Sequence, residues 1–409
     1  MNYKKQALYN TVGNLVYMIA LWLISVLTVR LSGFDDAGVF SIAMSVGNIF
    51  YFIAMYGMRS FQASDTLYQY KPADYFTVRW ITVGAALVVL AGYLMISGYS
   101  LYISLAILLY TLFKCLEASS DVYFGELQRV GHLEACGISM SVKGILCIPV
   151  YCFVLWFTKN VAFALFGMIL VSAIFLVIDY FSYKKWRDPE QKSENKAAYA
   201  LLKAGFPMLL TTVFPIIVTA MPRLALEKYC GTEILGIYSS ISTPTVLITT
   251  LVPNILTPFM TYYGLCYHEK KYRKLLKMLG ISLICTAALG AVACLCAHLL
   301  GDFVMGLIFG KEILPHLYLF IPLILATIVY AFTMCLNSVL ISIRRPVWLT
   351  SFAGAALIAS FICSYPLVKT MGEMGAVWAF AIPFGVQGIL QSIYLIYQLG
   401  FALPKSEEN

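Results

Sequence analysis

Charged residues are scarce in this chain of 409 residues: they make up 12% of it, whereas soluble globular domains carry about 25%. Hydrophobic residues make up 61%, and uncharged runs such as the one between Gln6 and Arg30 are long enough to cross a bilayer. This composition excludes a soluble globular protein. It predicts an all-α, polytopic membrane protein, and we expect no nucleic acid among its partners.

Paired cysteines and clustered histidines are also missing. The 11 cysteines form no C-x-x-C pair, and several of them, such as Cys147, Cys285 and Cys363, lie inside apolar runs. The four histidines are scattered without metal-ligand spacing. The sequence contains no glycine-rich phosphate loop, nucleophile elbow or H-E-x-x-H motif. We therefore expect no disulfide framework, no metal site and no enzymatic activity.

The uncharged runs predict about twelve transmembrane helices in two groups of six. The most hydrophilic segment of the chain lies between the groups. We therefore predict an N-terminal six-helix lobe over residues 1–182, a cytoplasmic connector over 183–199 and a C-terminal six-helix lobe over 200–409. If the N-terminus is cytoplasmic, most of the 28 lysines and arginines, including Arg79 and Lys143, fall in cytoplasmic loops and helix ends. The charge bias thus places both termini in the cytoplasm.

A short pattern recurs at the first hairpin of each half. Arg30-Leu31 is followed by Gly38-Val-Phe-Ser41, and Arg223-Leu224 is followed by Gly236-Ile-Tyr-Ser239. Because both halves begin on the cytoplasmic side, the pattern predicts a parallel duplication. Duplicated halves are typical of transporters whose pathway lies between the halves near the membrane midplane.

The fourth predicted span carries a polar stripe. At about 100° per residue, Lys114, Glu117, Asp121 and Gln128 fall within about 60° of arc. Gly125 lies on the same side, where a neighbouring element can approach closely. A charge at the bilayer centre costs at least about 2.5–3.5 kcal/mol, so the stripe must face protein or water. Two interpretations remain open: a polar lumen, or a Lys114–Glu117 pair that only holds helices together.

Two arginines lie at the outer ends of their spans, where positive charge is disfavoured. Arg30 has Asp35 and Asp36 in the same loop, and pairing with either of them is one interpretation. Arg223 has Glu227 four residues further on, at a spacing that allows an ion pair. The other interpretation places both arginines at the outer mouth of a cleft between the halves, where they are available to an anionic ligand.

Five motifs occur in a characteristic order: Arg30-Leu with Gly38; Gly57-Met-Arg59; Glu117 with Asp121; Gly125-Glu-Leu-Gln128-Arg129; and Arg223-Leu with Gly236-Ile-Tyr-Ser239. Together they resemble polysaccharide-biosynthesis flippases of the Wzx type, which belong to the MOP exporter superfamily. The resemblance extends over essentially the whole chain. It departs from the family at Pro222, where relatives often carry an acidic residue before the arginine.

The resemblance implies two six-helix bundles that form a V-shaped cleft. It also implies a bacterial inner-membrane transporter that moves an undecaprenyl-diphosphate-linked oligosaccharide from the cytoplasmic to the outer leaflet. The repeat unit would belong to an O-antigen, a capsule or an exopolysaccharide. The implied partners are this lipid-linked oligosaccharide, membrane lipids, and the glycosyltransferases and polymerase of the same pathway.

A diphosphate head group needs cationic partners, and arginine or lysine in a cleft of low dielectric constant suits it. The cations expected to bind it are Arg30, Arg59, Lys114 and Arg223. Glu117 and Asp121 are candidates for carrying a coupling proton or sodium ion, because two carboxylates four residues apart perturb each other's ionisation. Alternatively, Glu117 neutralises Lys114 until substrate displaces it.

The sequence leaves three alternative functions to consider. A multidrug or cation antiporter of the same superfamily would favour a net acidic cleft, whereas Lys114 and Arg223 lie in or near the membrane here. A membrane polysaccharide polymerase or glycosyltransferase usually has a large outer loop with carboxylates or arginines, but the longest outer segment, 301–315, has three charged residues. The sequence does not exclude a non-transporting scaffold.

Overall fold

The computed structural model describes residues 3–65, 69–186 and 195–400. These residues form α-helices and short 3₁₀ segments and include no β-strand. The α-helices are α1 (Tyr3–Ser32), α2 (Phe34–Met55), α3 (Met58–Ser64), α4 (Pro72–Ser97), α5 (Leu101–Arg129), α6 (Leu133–Thr158), α7 (Val161–Trp186), α8 (Asn195–Ser242), α9 (Val246–His268), α10 (Tyr272–Phe309), α11 (Phe320–Ser342) and α12 (Pro346–Gly400). Helices suit the apolar runs because a helix satisfies its own backbone hydrogen bonds inside a bilayer.

Ten helical segments of the described chain are long and apolar enough to cross a membrane. The two longest helices are interrupted: α8 has non-helical backbone at Gly231 and α12 has it at Gly372. Each of these two helices therefore consists of two helical segments. Counting the segments separately accounts for the difference between the ten segments and the twelve predicted spans. The prediction of an all-α, polytopic membrane protein is confirmed.

The chain divides into two compact units, Met1–Ile216 and Ile217–Asn409, and the boundary falls inside α8. The first unit contains α1 to α7 and the beginning of α8. Much of the predicted connector lies outside the described residues, since 187–194 are not described. The predicted lobe boundaries therefore stay predictions.

The repeated sequence pattern coincides with a repeated backbone turn. Gly33 separates α1 from α2 with φ 91° and ψ −179°, and Gly231 interrupts α8 with φ 86° and ψ 175°. This region of backbone conformation is accessible essentially only to glycine. Each of these glycines stands five residues before the glycine of its motif, Gly38 or Gly236. The shared turn supports the predicted duplication.

Helices α1 and α6 cross at unusually short distance in the first unit. A Cβ atom added to Gly13 would lie 2.1 Å from the carbonyl oxygen of Gly137, and one added to Gly137 would lie 2.2 Å from that of Tyr9. Small residues allow such backbone contact between membrane helices. The crossing places Tyr17 of α1 and Lys143 of α6 on the side that faces α5, where both contact Glu117.

Candidate functional site

The polar stripe predicted on the fourth span lies on α5. The Ser100 hydroxyl caps the start of this helix by accepting a hydrogen bond from the Ile103 amide at 3.3 Å. Apolar residues form the first half of α5, and the charged residues follow on one face. Lys114, Glu117 and Asp121 are all buried, with 5%, 6% and 6% of their surface exposed. Charges buried to this degree must be compensated by partners on neighbouring helices.

Glu117 is compensated by two lysines from different helices. The Lys114 ammonium lies 2.7 Å from Oε2 of Glu117, and the Lys143 ammonium lies 3.3 Å from Oε1. The Tyr17 hydroxyl donates a hydrogen bond to the same carboxylate. The i, i+3 ion pair that the sequence allowed is therefore present, and it is part of a three-charge arrangement that also includes Lys143.

Lys114 is also surrounded by aromatic rings. The ring centroids of Tyr17, Tyr51, Tyr110 and Phe113 lie 5.1–5.8 Å from its ammonium nitrogen. Cation–π contacts of this kind contribute about 0.5–2 kcal/mol each, more where water is excluded. The aromatic cage and Glu117 together stabilise an ammonium group at a depth where a lone charge would be expensive.

Asp121 is compensated in the same way by two arginines. The Arg59 guanidinium of α3 lies 2.9 Å from Oδ1, and the Arg79 guanidinium of α4 lies 3.2 Å from Oδ2. Arg79 is 1% exposed and also donates to the Ala54 carbonyl at 2.6 Å, whereas the Arg59 side chain is 28% exposed. Burial disfavours the charge on Arg59, but the Asp121 carboxylate outweighs it and raises the pKa of the guanidinium. Arg59 is therefore a charged residue at the accessible edge of the site.

These six groups form one assembly in the first unit, which we call the cation-rich cluster. It consists of two carboxylates, Glu117 and Asp121, and four cations, Arg59, Arg79, Lys114 and Lys143. Each carboxylate is held between two cations, so the cluster has two more positive than negative groups. An anion that binds in the cluster would pair with cations that already contact Glu117 or Asp121. It would either displace these carboxylates or bind beside them.

Sequence reasoning missed half of the cations in this cluster. Arg79 and Lys143 were assigned to cytoplasmic loops and helix ends, but both are 1% exposed and lie several residues inside α4 and α6. Neither residue lies in a loop, and the cytoplasmic side predicted for both stays a prediction. Their position inside apolar helices was the available signal, because a basic residue there needs a buried partner. Tyr17 gave no comparable signal among the many tyrosines.

The neighbouring turn of α5 holds α3 in place. A Cβ atom on Gly125 would lie 2.0 Å from Oε1 of Gln62, so the close approach expected at this glycine is confirmed. Gln62 donates to Glu126 at 2.8 Å, and Arg129 pairs with Glu126 at 3.0 Å and with Asp65 at 3.4 Å. This network fixes the short helix that carries the accessible arginine of the cluster.

The other two predicted cations lie elsewhere. Arg30 is exposed in the last turn of α1, about 20 Å along the helix from Tyr17. Arg223 belongs to the second unit, where it donates to the Ser242 hydroxyl at 3.4 Å and lies near Tyr238. Among the described residues, Glu227 forms no ion pair with Arg223. The structure thus brings together Arg59 and Lys114 but not all four.

The second unit has polar groups of its own, which sequence reasoning did not identify. Gln391 donates to Asn337 at 2.6 Å between α12 and α11. Glu373, beside the interruption of α12, lies 2.8 Å from His316 and accepts from the Tyr318 hydroxyl at 2.6 Å. Within the described ranges, no three His, Cys, Asp or Glu side chains are grouped so that they would hold a metal ion.

Comparison with known proteins identifies the fold. No protein-family model matches the chain. Its sequence is similar to that of the capsular polysaccharide biosynthesis protein CapF of Staphylococcus aureus, with 25% identity over 309 residues that cover 74% of this chain and 76% of CapF. Its structure is similar to the lipid II flippase MurJ in an inward closed conformation, with a TM-score of 0.73 and 15% identity over 96% of this chain and 87% of MurJ.

A second solved structure is similar over almost the whole chain. An inward-facing multidrug resistance MATE family transporter of the MOP superfamily matches with a TM-score of 0.64 and 15% identity, over 98% of this chain and 96% of that chain. The resemblance inferred from the sequence motifs is thereby confirmed at the level of fold, and the similarity to CapF agrees with its polysaccharide branch. The chain is a multi-pass membrane protein with the fold of the MOP superfamily of transporters.

Proposed function

We propose that this protein is a flippase for a lipid-linked oligosaccharide. It would carry an undecaprenyl-diphosphate-linked repeat unit of a surface polysaccharide from the cytoplasmic to the outer leaflet by alternating access. The similarity in sequence to a capsular polysaccharide biosynthesis protein and in fold to a lipid II flippase supports this substrate class. The protein would act in the bacterial inner membrane with both termini in the cytoplasm.

The excess of cations in the cluster is the observation on which this proposal rests. Two of the four cations would remain uncompensated if both carboxylates kept one partner each. A diphosphate supplies the missing negative charge, and bonds between phosphate oxygens and cations are about twice as strong as neutral hydrogen bonds. Arg59, as the accessible member, would make the first contact with it.

The rest of the substrate can be accommodated by the surroundings of the cluster. Tyrosine rings, including Tyr51 and Tyr110, border the site, and their amphipathic character suits a sugar face. The polyprenyl tail would stay in the bilayer. Arg30 and Arg223 stay candidate head-group contacts at other stages of transport. The glycosyltransferases and polymerase of the pathway are the proposed protein partners.

A multidrug or cation antiporter is the second candidate, since the fold is also that of a multidrug resistance MATE transporter. A cationic drug requires an acidic or neutral aromatic site. The net charge of the cluster is positive instead, because its two carboxylates are already held by four cations. The sign of the cluster is therefore the property that separates the two candidates.

A binding competition tests the proposal directly. Purified protein in nanodiscs would be titrated with a short-chain polyprenyl-diphosphate saccharide and, separately, with ethidium. We expect saturable binding of the diphosphate and a loss of about tenfold in affinity for Arg59→Gln, since one charge-assisted hydrogen bond contributes about 1.5–3 kcal/mol. Arg344→Gln, at an exposed turn of the second unit, is the matched control. Binding of ethidium alone, or of the diphosphate with equal affinity to the Arg59 variant, would refute the proposal.

A further inference from the structure

Helix α7 carries a buried carboxylate that the proposed binding site does not use. Asp179 is 1% exposed and lies within the apolar part of the helix. Its Oδ1 accepts a hydrogen bond from the Ser139 hydroxyl of α6 at 2.6 Å. Its Oδ2 is buried and has no hydrogen-bond donor among the described residues. The neighbours of this carboxyl group are the hydroxyls of Ser139 and Ser120, and Oδ2 lies outside hydrogen-bonding geometry.

Asp179 differs in this respect from the other two buried acids near it. Glu117 and Asp121 each lie within ion-pair distance of two cations. No cation in the described part of the chain lies that close to Asp179, which has hydroxyl neighbours instead. A buried carboxylate without a counter-ion is expensive, and the usual remedy is to bind a proton. An orphaned, buried oxygen is where such a proton would reside.

The groups that face Asp179 come from α5 and α6. The titratable ones are Tyr123 on α5 and Cys136 and Lys143 on α6, and Ser120 on α5 also faces the carboxyl group. Lys143 is the only cation among them. It lies one helical turn from Ser139 and 3.3 Å from Glu117, so this member of the cation-rich cluster links Asp179 to the other members. A change of charge on Asp179 would act first on this lysine.

We propose that Asp179 is the proton-binding site of this transporter, and that Lys143 transmits its charge to the cation-rich cluster. The structure shows Lys143 with Glu117, which is the arrangement expected with the proton on Asp179. When the proton leaves to the aqueous phase, the new negative charge on Asp179 draws Lys143 away from Glu117. Glu117 is then paired with Lys114 alone. The cluster has one cation fewer beside Glu117, so it binds an anion more weakly. The coupling proton thus belongs to Asp179, since Glu117 and Asp121 are already held by cations.

The protonation itself can be measured without any substrate. Infrared difference spectra of the purified protein in nanodiscs, recorded while the pH is raised, should show a carbonyl-stretch band of a protonated carboxylic acid that disappears. We expect Asp179→Asn to lack this band and Asp179→Glu to keep it at a shifted frequency. Asp302→Asn, at an exposed position on α10, should retain the band unchanged. A band that persists in Asp179→Asn, or no titrating band in the wild type, overturns the assignment.

The coupling rests on the proposed function and needs the diphosphate probe. Affinity for the short-chain polyprenyl-diphosphate saccharide should fall at least about fivefold as pH rises through the titration of the infrared band, a typical size for coupling between two sites. Asp179→Asn, which mimics the protonated form, should keep the higher affinity at every pH. An unchanged pH dependence in Asp179→Asn overturns the coupling. If the wild type binds no diphosphate, the proposed function fails, and the infrared result still decides the role of Asp179.

Discussion

Glu117 is the residue on which the two lysines of the site depend. It is bonded to Lys114 and Lys143 at once, so removing one lysine leaves the carboxylate paired with the other. Removing the carboxylate leaves two buried ammonium groups without a counter-ion. Breaking a buried ion pair by removing one partner costs about 3–5 kcal/mol, and most of that cost is the stranded charge. The three residues therefore have unequal effects on stability.

This inequality gives a prediction for the two partners. Lys114→Ala should abolish export while the protein stays inserted and folded, because Glu117 keeps Lys143. Glu117→Ala should lower the unfolding temperature more than Lys114→Ala does, because it strands two cations. Thermal unfolding of the detergent-purified variants and export in cells measure the two effects, with Lys277→Ala, at an exposed position, as the control. Normal export by Lys114→Ala would mean that the pair only holds helices together.

The residues of the site were only partly predictable from the sequence. Lys114, Glu117 and Asp121 share one face of one helix, and helical spacing alone brings them together. Arg79 and Lys143 come from α4 and α6, and their pairing depends on how separate helices pack. The charge bias of loops gave a different prediction for both, because it assigns a basic residue near a helix end to the cytoplasmic surface and not to a buried ion pair.

At the scale of elements, the crossing of α1 and α6 positions the site. Gly137 has no space for a side chain, because an added Cβ would lie 2.2 Å from the backbone of Tyr9. Gly137→Ala should therefore push the helices apart and cost about 1–3 kcal/mol, as overpacking does. It should also weaken binding of the diphosphate, since Tyr17 and Lys143 lie on these two helices.

Thermal unfolding and diphosphate binding of purified Gly137→Ala provide the measurement. Gly84→Ala is the matched control, because Gly84 lies in the membrane helix α4 and an added Cβ there would meet nothing within 4 Å. Equal unfolding temperatures for the two variants would show that the close crossing is not needed for stability.

The elements themselves were largely predictable. Uncharged runs indicated where the helices lie, because a charge inside the bilayer is expensive and helices are the form that apolar chain adopts there. The two interruptions were less predictable: α8 and α12 continue as helix on either side of Gly231 and Gly372, with a single non-helical residue in place of a loop. The short helix α3, which carries Arg59, is too brief to give a periodic signal.

At the scale of the whole molecule, the two halves share a plan and differ in chemistry. Gly33 and Gly231 have the same backbone conformation at equivalent positions, which supports an origin by duplication. The buried polar groups have diverged: the first unit holds the cation-rich cluster, whereas a neutral amide pair, Asn337 and Gln391, lies in the second. The motifs predicted the superfamily fold, because they recur across the chain. They do not determine the substrate, which depends on the side chains of the site.

The most direct test of the account is the leaflet distribution of lipid-linked oligosaccharide in cells that lack this protein but retain the rest of the polysaccharide pathway. Extracted lipids would be scored for the diphosphate-linked repeat unit and for its accessibility from each side of the membrane. We predict that the repeat unit accumulates on the cytoplasmic face, that surface polymer is lost, and that the wild-type protein restores both whereas Lys114→Ala does not. Unchanged lipid intermediates, or repeat units that accumulate unpolymerised on the outer face, would contradict the account.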